Sequence, residues 1–211
     1  MARKRKAKPK PIKIELPVPK KKRIRVMGED MGTKNYAVTQ IEAWVKEEDG
    51  KRRMCFKIIG TKMMEHMIHD VKIAQLECRA FVDEYNQLPA VDYIAAERFQ
   101  ARPGRGAGTT VEAISMMLGV MMILRPDVPT EFYTAATWKN EFNRTPADLK
   151  EMYEDLKVKY KGQGIVIHQL DSFLIALYHA AKLLRVPAYD FIHSHTDEER
   201  LFNVLSKAPT L

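Results

Sequence analysis

Long hydrophobic runs are missing from this 211-residue chain. No apolar stretch reaches the roughly 18–20 residues that a membrane-spanning helix needs, and the amino-terminal segment lacks the apolar core of a secretory signal. Cysteine is scarce. Cys55 and Cys78 stand alone, without CxxC spacing, so a disulfide framework is not expected and a reduced, intracellular protein is. The phosphate-cradling signatures Gly-Lys-Ser/Thr and GxGxxG are also missing, so the glycines near 104–108 do not make a nucleotide loop. No internal repeat is present. Neither a membrane nor a small-molecule cofactor is expected as a partner.

Charge is abundant but unevenly placed. Residues 1–25 hold 12 Lys and Arg against the single acid Glu15, a net of +11. The remaining residues hold 23 basic and 26 acidic side chains, a net of −3. The overall +8 therefore belongs to an appendage on a slightly acidic body. A basic arm on such a body suits a polyanion, and phosphate contact is its main use. Residues 1–22, with Pro9, Pro11, Pro17 and Pro19, bury little and are expected to be disordered or extended alone. Lys21, Lys22 and Arg23 are the arm's candidate DNA contacts, and Arg23 and Arg25 are where it meets the first strand. Pro19–Arg23 also has the form of a nuclear import signal, a secondary reading.

The apolar pattern divides the rest. Ile24–Asp30 reads as a strand and Asn35–Val45 as a second. Asp49-Gly50 reads as a hairpin turn, and Met54–Ile59 as a third strand. Strands joined this closely should be antiparallel. Residues 62–87 show helical spacing, and Pro89 ends that helix. Val91–Glu97 is a compact strand. A Gly/Arg-rich loop follows, then a helix from Thr109 or Thr110 to Leu124, a short strand at Glu131–Ala135, a helix at 147–160 and a last core helix near His168–Arg185. A short terminal helix is expected after Thr196. The domain reading is a basic arm at 1–22, a core domain at 23–188 and a helical extension at 189–211. The fold class is α/β: a mixed five-stranded sheet, three antiparallel strands plus two parallel, with helices on both faces.

Three acids occupy places that matter in such a sheet. Asp30 ends the first strand beside a Gly32 turn, and Glu97 ends the fourth. Asp171 lies at the start of the last core helix, with His168 three residues earlier on the same face. Each alone has an ordinary reading: a turn residue, a paired acid, a helix amino-terminal acid. If the first and fourth strands are neighbours, all three converge. Carboxylates gathered without a basic partner repel one another, and divalent cations resolve that repulsion. Hard oxygen donors suit Mg²⁺ or Mn²⁺. Two such ions about 4 Å apart can drive phosphodiester hydrolysis.

The segment Gly28–Asn35 (Gly-Glu-Asp-Met-Gly-Thr-Lys-Asn) resembles the opening Asp-x-Gly-Thr-x-Asn strand of RuvC-like Holliday junction resolvases, in the ribonuclease H-like superfamily. Tyr93-Ile-Ala-Ala-Glu97 resembles their fourth-strand Glu. The run from His168 to His179 resembles their last helix, in which a His or Asp precedes the final Asp by three. The similarity spans residues 24–185 and is nearest the phage and viral branch. It implies nicking of four-way DNA junctions by a homodimer, with two Mg²⁺ or Mn²⁺ ions per site. Asp30, Glu97 and Asp171 would be catalytic metal ligands, and His168 a metal ligand or a contact to the scissile phosphate. A phage-encoded copy would work in the cytoplasm of a bacterial host. Glu29, beside Asp30, departs from the pattern as a competing carboxylate, Ser172 stands where many members have Ala, and the arm is an addition.

Around these acids, Arg102 and Arg105 in the loop after Glu97 are candidate phosphate contacts. Phe99 is a candidate for stacking on an unpaired base. Lys139, after the fifth strand, is a candidate DNA contact, with Trp138 read as core. The methionines at 116, 117, 121 and 122 are read as packing. The exposed side of their helix, or of the 62–87 helix, is the expected dimer seam. His66/His69 and His193/His195 lack the partners of a metal site. The leading expectation is a junction-resolving, metal-dependent endonuclease. The alternatives are another ribonuclease H-like nuclease on branched DNA or RNA/DNA hybrids, and a catalytically silent junction-binding protein.

Overall fold

The computed structural model describes residues 19, 21–48, 50–98, 108–141, 167–187, 205 and 207–211. Strand β1 runs over Arg23–Asp30, β2 over Ala37–Glu48 and β3 over Lys51–Met63. Helix α1 covers Ala74–Asn86, β4 Tyr93–Glu97, α2 Gly108–Leu124 and β5 Thr130–Tyr133. Helix α3 covers Ala135–Glu141 and α4 Ile167–Leu184. The strands form one sheet in the order β3-β2-β1-β4-β5. β1 pairs antiparallel with β2, and β2 with β3, while β1–β4 and β4–β5 are parallel. This is the mixed five-stranded sheet expected from the sequence.

Strand alternation sorts the core into two layers. Ile24 and Val26 of β1 join Ile41 of β2 and Ala95 of β4 against Phe173, Leu174 and Leu177 of α4. Met27, Val38 and Ile94 face the other way, toward Phe81 and Tyr85 of α1 and Ile114, Met117 and Met121 of α2. Helices therefore cover both faces. Helix α4 is sunk deepest, with every residue from Gln169 to Ala181 buried.

Gly28 is why α4 lies so close. A Cβ there would stand 2.0 Å from the Ser172 carbonyl oxygen and 2.6 Å from the Ala176 nitrogen. Only a residue without a side chain lets the helix backbone rest on β1. A polar ladder fixes the same contact. The Thr39 and Ser172 hydroxyls are 2.7 Å apart, and Thr39 also meets Thr61 at 3.0 Å and donates to the Gln169 carbonyl.

Several boundaries differ from the sequence reading. β3 extends to Met63, and the helix expected over 62–87 begins only at Ala74. Met64, Met67 and Ile68 have helical spacing and are buried, but they reach the core from a non-helical segment. Two acids of α1 hold that segment down. The Glu84 carboxylate accepts the amides of Glu65 and His66 and pairs with Lys62, and Glu77 accepts the amide of His69. The hairpin is as expected, with Glu48 opposite Lys51 and Gly50 at φ +70°. Helix α3 was not anticipated. Thr134 caps it, accepting the Thr137 amide at 3.3 Å. The helix expected at 147–160 and the start of the one after Thr196 lie outside the described residues. Near the end of the chain, Thr210 bridges to Thr61 at the edge of β3. No helix among the described residues is long and apolar enough to cross a membrane.

Candidate active site

Because β1 and β4 run parallel and adjacent, their carboxyl ends point the same way. The last paired residues are Glu29 and Ala96, so Asp30 and Glu97 stand one step further on at the same sheet edge. Helix α4 starts across that edge. His168 and Asp171 sit on its first turns, three residues apart on one face. The His168 Nδ1 lies 2.6 Å from Asp30 Oδ2. Helix α3, following β5 directly, adds two more groups. The fully buried Trp138 donates its indole N–H to Glu97 Oε2 at 3.0 Å. Lys139 Nζ lies 3.3 Å from Asp171 Oδ2 and 4.7 Å from the centre of the Trp138 ring.

The electrostatics tie these groups into one site. The Glu97 carboxyl is pushed up to about 7, first by burial and then by the negative charges of Asp30 and Asp171, against the pull of Lys139 and the Trp138 hydrogen bond. The His168 imidazole is held above its usual value, first by its hydrogen bond to Asp30, with burial opposing and the charges of Asp30, Asp171 and Glu97 adding. Three carboxylates thus feel one another across a half-buried cleft. Among the described residues, no three His, Cys, Asp or Glu side chains are gathered tightly enough to hold an ion as they stand. Lys139, and His168 when protonated, supply positive charge instead. By kind, the oxygen donors of Asp30, Glu97 and Asp171 fit a hard divalent cation, which would have to displace these two contacts.

Glu29, the competing acid, is not part of the site. It points to the opposite face, is fully buried, and accepts the hydroxyls of Tyr36 and Tyr85, each at 2.7 Å. Burial pushes its carboxyl up to about 7, against those two hydrogen bonds and the nearby Arg125 charge. Strand parity alone signals this separation.

The arm candidates are placed elsewhere. Lys21 and Lys22 precede β1 and Arg23 opens it, an eight-residue strand whose rise of ~3.3 Å per residue puts Arg23 ~23 Å from Asp30. Lys21 pairs with Asp92. Arg23 bonds Glu42 at 3.0 Å and lies over the Trp44 ring at 4.5 Å. Phe99, Arg102 and Arg105 lie outside the described residues. The sequence reading missed the roles of Trp138 and Gly28. The indole of Trp138 carried no sequence signal for Glu97, whereas a glycine inside an apolar strand does signal close backbone approach.

No protein-family model matches this chain, and no curated protein matches it. Solved structures do. The chain is similar to Thermus thermophilus RuvC, with a TM-score of 0.52 and 16% identity over 74% of this chain and 93% of that one. It is similar also to T. thermophilus RuvC in complex with Holliday junction substrate, with a TM-score of 0.51 and 14% identity over 74% of this chain and 92% of that one. At this identity the likeness is one of fold: a ribonuclease H-like mixed sheet arranged as in RuvC.

Proposed function

We propose that the chain is a metal-dependent DNA endonuclease that acts on four-way junctions as a homodimer, making paired symmetric nicks. One observation carries the reading. Asp30 and Glu97 end adjacent parallel strands, and α4 brings Asp171 close enough for both aspartates to raise the proton affinity of Glu97. A buried acid cluster of this kind disfavours full ionisation unless cations join it. The RuvC arrangement of the sheet supports the same reading, since one RuvC neighbour was determined with a Holliday junction.

Asp30, Glu97 and Asp171 would hold two Mg²⁺ or Mn²⁺ ions, which when bound activate water and stabilise the leaving oxygen. The chain's own groups do the rest. Trp138 fixes the Glu97 carboxylate through its indole N–H, and the Gly28 contact fixes the height of Asp171 above the sheet. Lys139, and His168 when protonated, place positive charge at the cleft, where a scissile phosphate would meet it. Two such sites related by a two-fold axis match a junction of the same symmetry.

The test is cleavage of a four-way junction with Mg²⁺ or Mn²⁺, beside a linear duplex and an RNA/DNA hybrid. Asp30→Asn and Asp171→Asn should each lower the cutting rate by at least ~100-fold, the scale of losing charge stabilisation at a reacting phosphate, with junction affinity kept. Calorimetric titration with Mn²⁺ should show weaker metal binding in both variants. Tight junction binding without cutting by the wild-type chain would leave a silent binding protein. Faster cutting of the hybrid would move the substrate to RNA/DNA.

A further inference from the structure

The carboxylates lie at one end of the sheet, and a second charged feature lies at the other. Where β1 and β3 begin and α4 ends, a concavity of about 380 Å³ opens to solvent. Lys21, Lys22, Arg52 and Arg185 line it, with Val45, Leu183, Leu184 and Pro19 as apolar neighbours. Among the described residues no carboxylate lines it. Arg52 reaches across to donate to the Leu184 carbonyl, a neutral acceptor, at 3.3 Å. Among the described residues the side chains of Lys22 and Arg185 have no partner.

Arg185 gives the feature its specificity. Helix α4 ends in a Schellman motif: the Val186 amide bonds the Ala181 carbonyl at 3.1 Å and the Arg185 amide bonds the Lys182 carbonyl at 3.3 Å. Arg185 occupies the left-handed position of that motif, at φ +54°, the only non-glycine residue with positive φ among those described. Glycine is the ordinary occupant, because a Cβ there is strained. The chain places a long cation at that position, over a cleft already basic.

The geometry points to a second phosphate-backbone site, formed by Lys22, Arg52 and Arg185 with Lys21 at its edge, that binds a stretch of duplex DNA away from the cleavage centre. It rests on the nucleic-acid reading above. Helix α4, at ~1.5 Å per residue, separates Asp171 from Arg185 by ~21 Å, in agreement with the ~23 Å along β1. At ~3.4 Å per base pair that span is about six base pairs of duplex. The site therefore takes the backbone of one duplex arm while the cut phosphate lies among the carboxylates. It also lies beside the start of β1, which the Lys/Arg-rich residues 1–22 precede in the sequence. Lys21 is held in place there by Asp92, which also accepts the Arg25 amide at 2.9 Å.

Arg185→Gly separates binding from folding, because it removes the cation and relieves the backbone at once. In the full-length chain it should raise the melting temperature by ~2–4 °C. Binding to a four-way junction and to linear duplex, measured in chelator between roughly 50 and 200 mM salt, should weaken several-fold, with a log-log salt slope shallower by ~0.9. Arg52→Gln should shift the slope likewise. Slopes unchanged in both variants would overturn the site. If the slopes shift but wild-type protein never cuts a junction with metal, the nuclease reading falls and the site stands. If cutting is intact and the slopes are unmoved, the reverse holds.

Discussion

Single residues set the geometry of the acid cluster, and Gly28 does so most directly. Its missing side chain leaves room for the backbone at Ser172 and Ala176. Gly28→Ala should drive α4 off β1 and destabilise the fold by ~1–3 kcal/mol, the usual cost of overpacking, as read by urea unfolding. Because Asp171 rides on the displaced turn, metal affinity should fall as well. A second residue-scale consequence concerns His179. It is buried on α4, its Nδ1 lies 2.7 Å from the Tyr133 hydroxyl, and its Nε2 has no partner among the described residues. Burial, with the Lys182 charge adding, pushes the imidazole down to about 3. The folded state then binds fewer protons than the unfolded state, so stability is fully present above pH ~6.5 and is lost as pH falls toward 3. The slope should approach ~1.4 kcal/mol per pH unit within that window. His179→Gln should flatten it in unfolding titrations.

At the scale of elements, the strands were more legible in the sequence than the segments between them. Ile24, Val26 and the acid after them declared β1, and Asp49-Gly50 declared the hairpin, because alternation and turn chemistry are local. The interval 64–73 misled for a physical reason. Its apolar residues are spaced as on a helix, yet what shapes the segment is carboxylates arriving from α1, Glu84 and Glu77. No local pattern reveals hydrogen bonds from residues 8 and 19 positions away. Trp138 was read as core, and it is core. Its bond to Glu97 depends on how α3 follows β5, which pairs with β4 at Tyr133 opposite Glu97. Asp30, Glu97, His168 and Asp171 could be picked out beforehand because three element ends carried them. Their convergence required knowing that β1 neighbours β4.

The described residues are polarised, with acids at one end of the sheet and a basic cleft at the other. The sequence showed the basic arm but not this distance, because Arg23 and Asp30 are seven positions apart and sit at opposite ends of one strand. The outer surface carries apolar side chains too. Met122 is 53% exposed and Ile123 77% on α2, with Leu76 79% exposed on α1. If α2 supplies the seam of the proposed homodimer, Ile123→Glu should shift sedimentation from dimer toward monomer at micromolar protein. The melting temperature should change little, since Ile123 is barely part of the core. A dimer unaffected by Ile123→Glu and Met122→Lys would move the seam to another face.

β1 ends in two consecutive acids, and a strand that slides by one position exchanges its faces. Slippage would offer Glu29 to the cleft and bury Asp30 on the far side. Both frames place an acid at the cleft, so the acids alone do not choose between them. Tyr36 and Tyr85 do. Their hydroxyls meet a glutamate at 2.7 Å each, and an aspartate, one methylene shorter, would not reach both. The buried tyrosine pair is a length gauge: it admits only the longer acid and so leaves the shorter one to face the cleft.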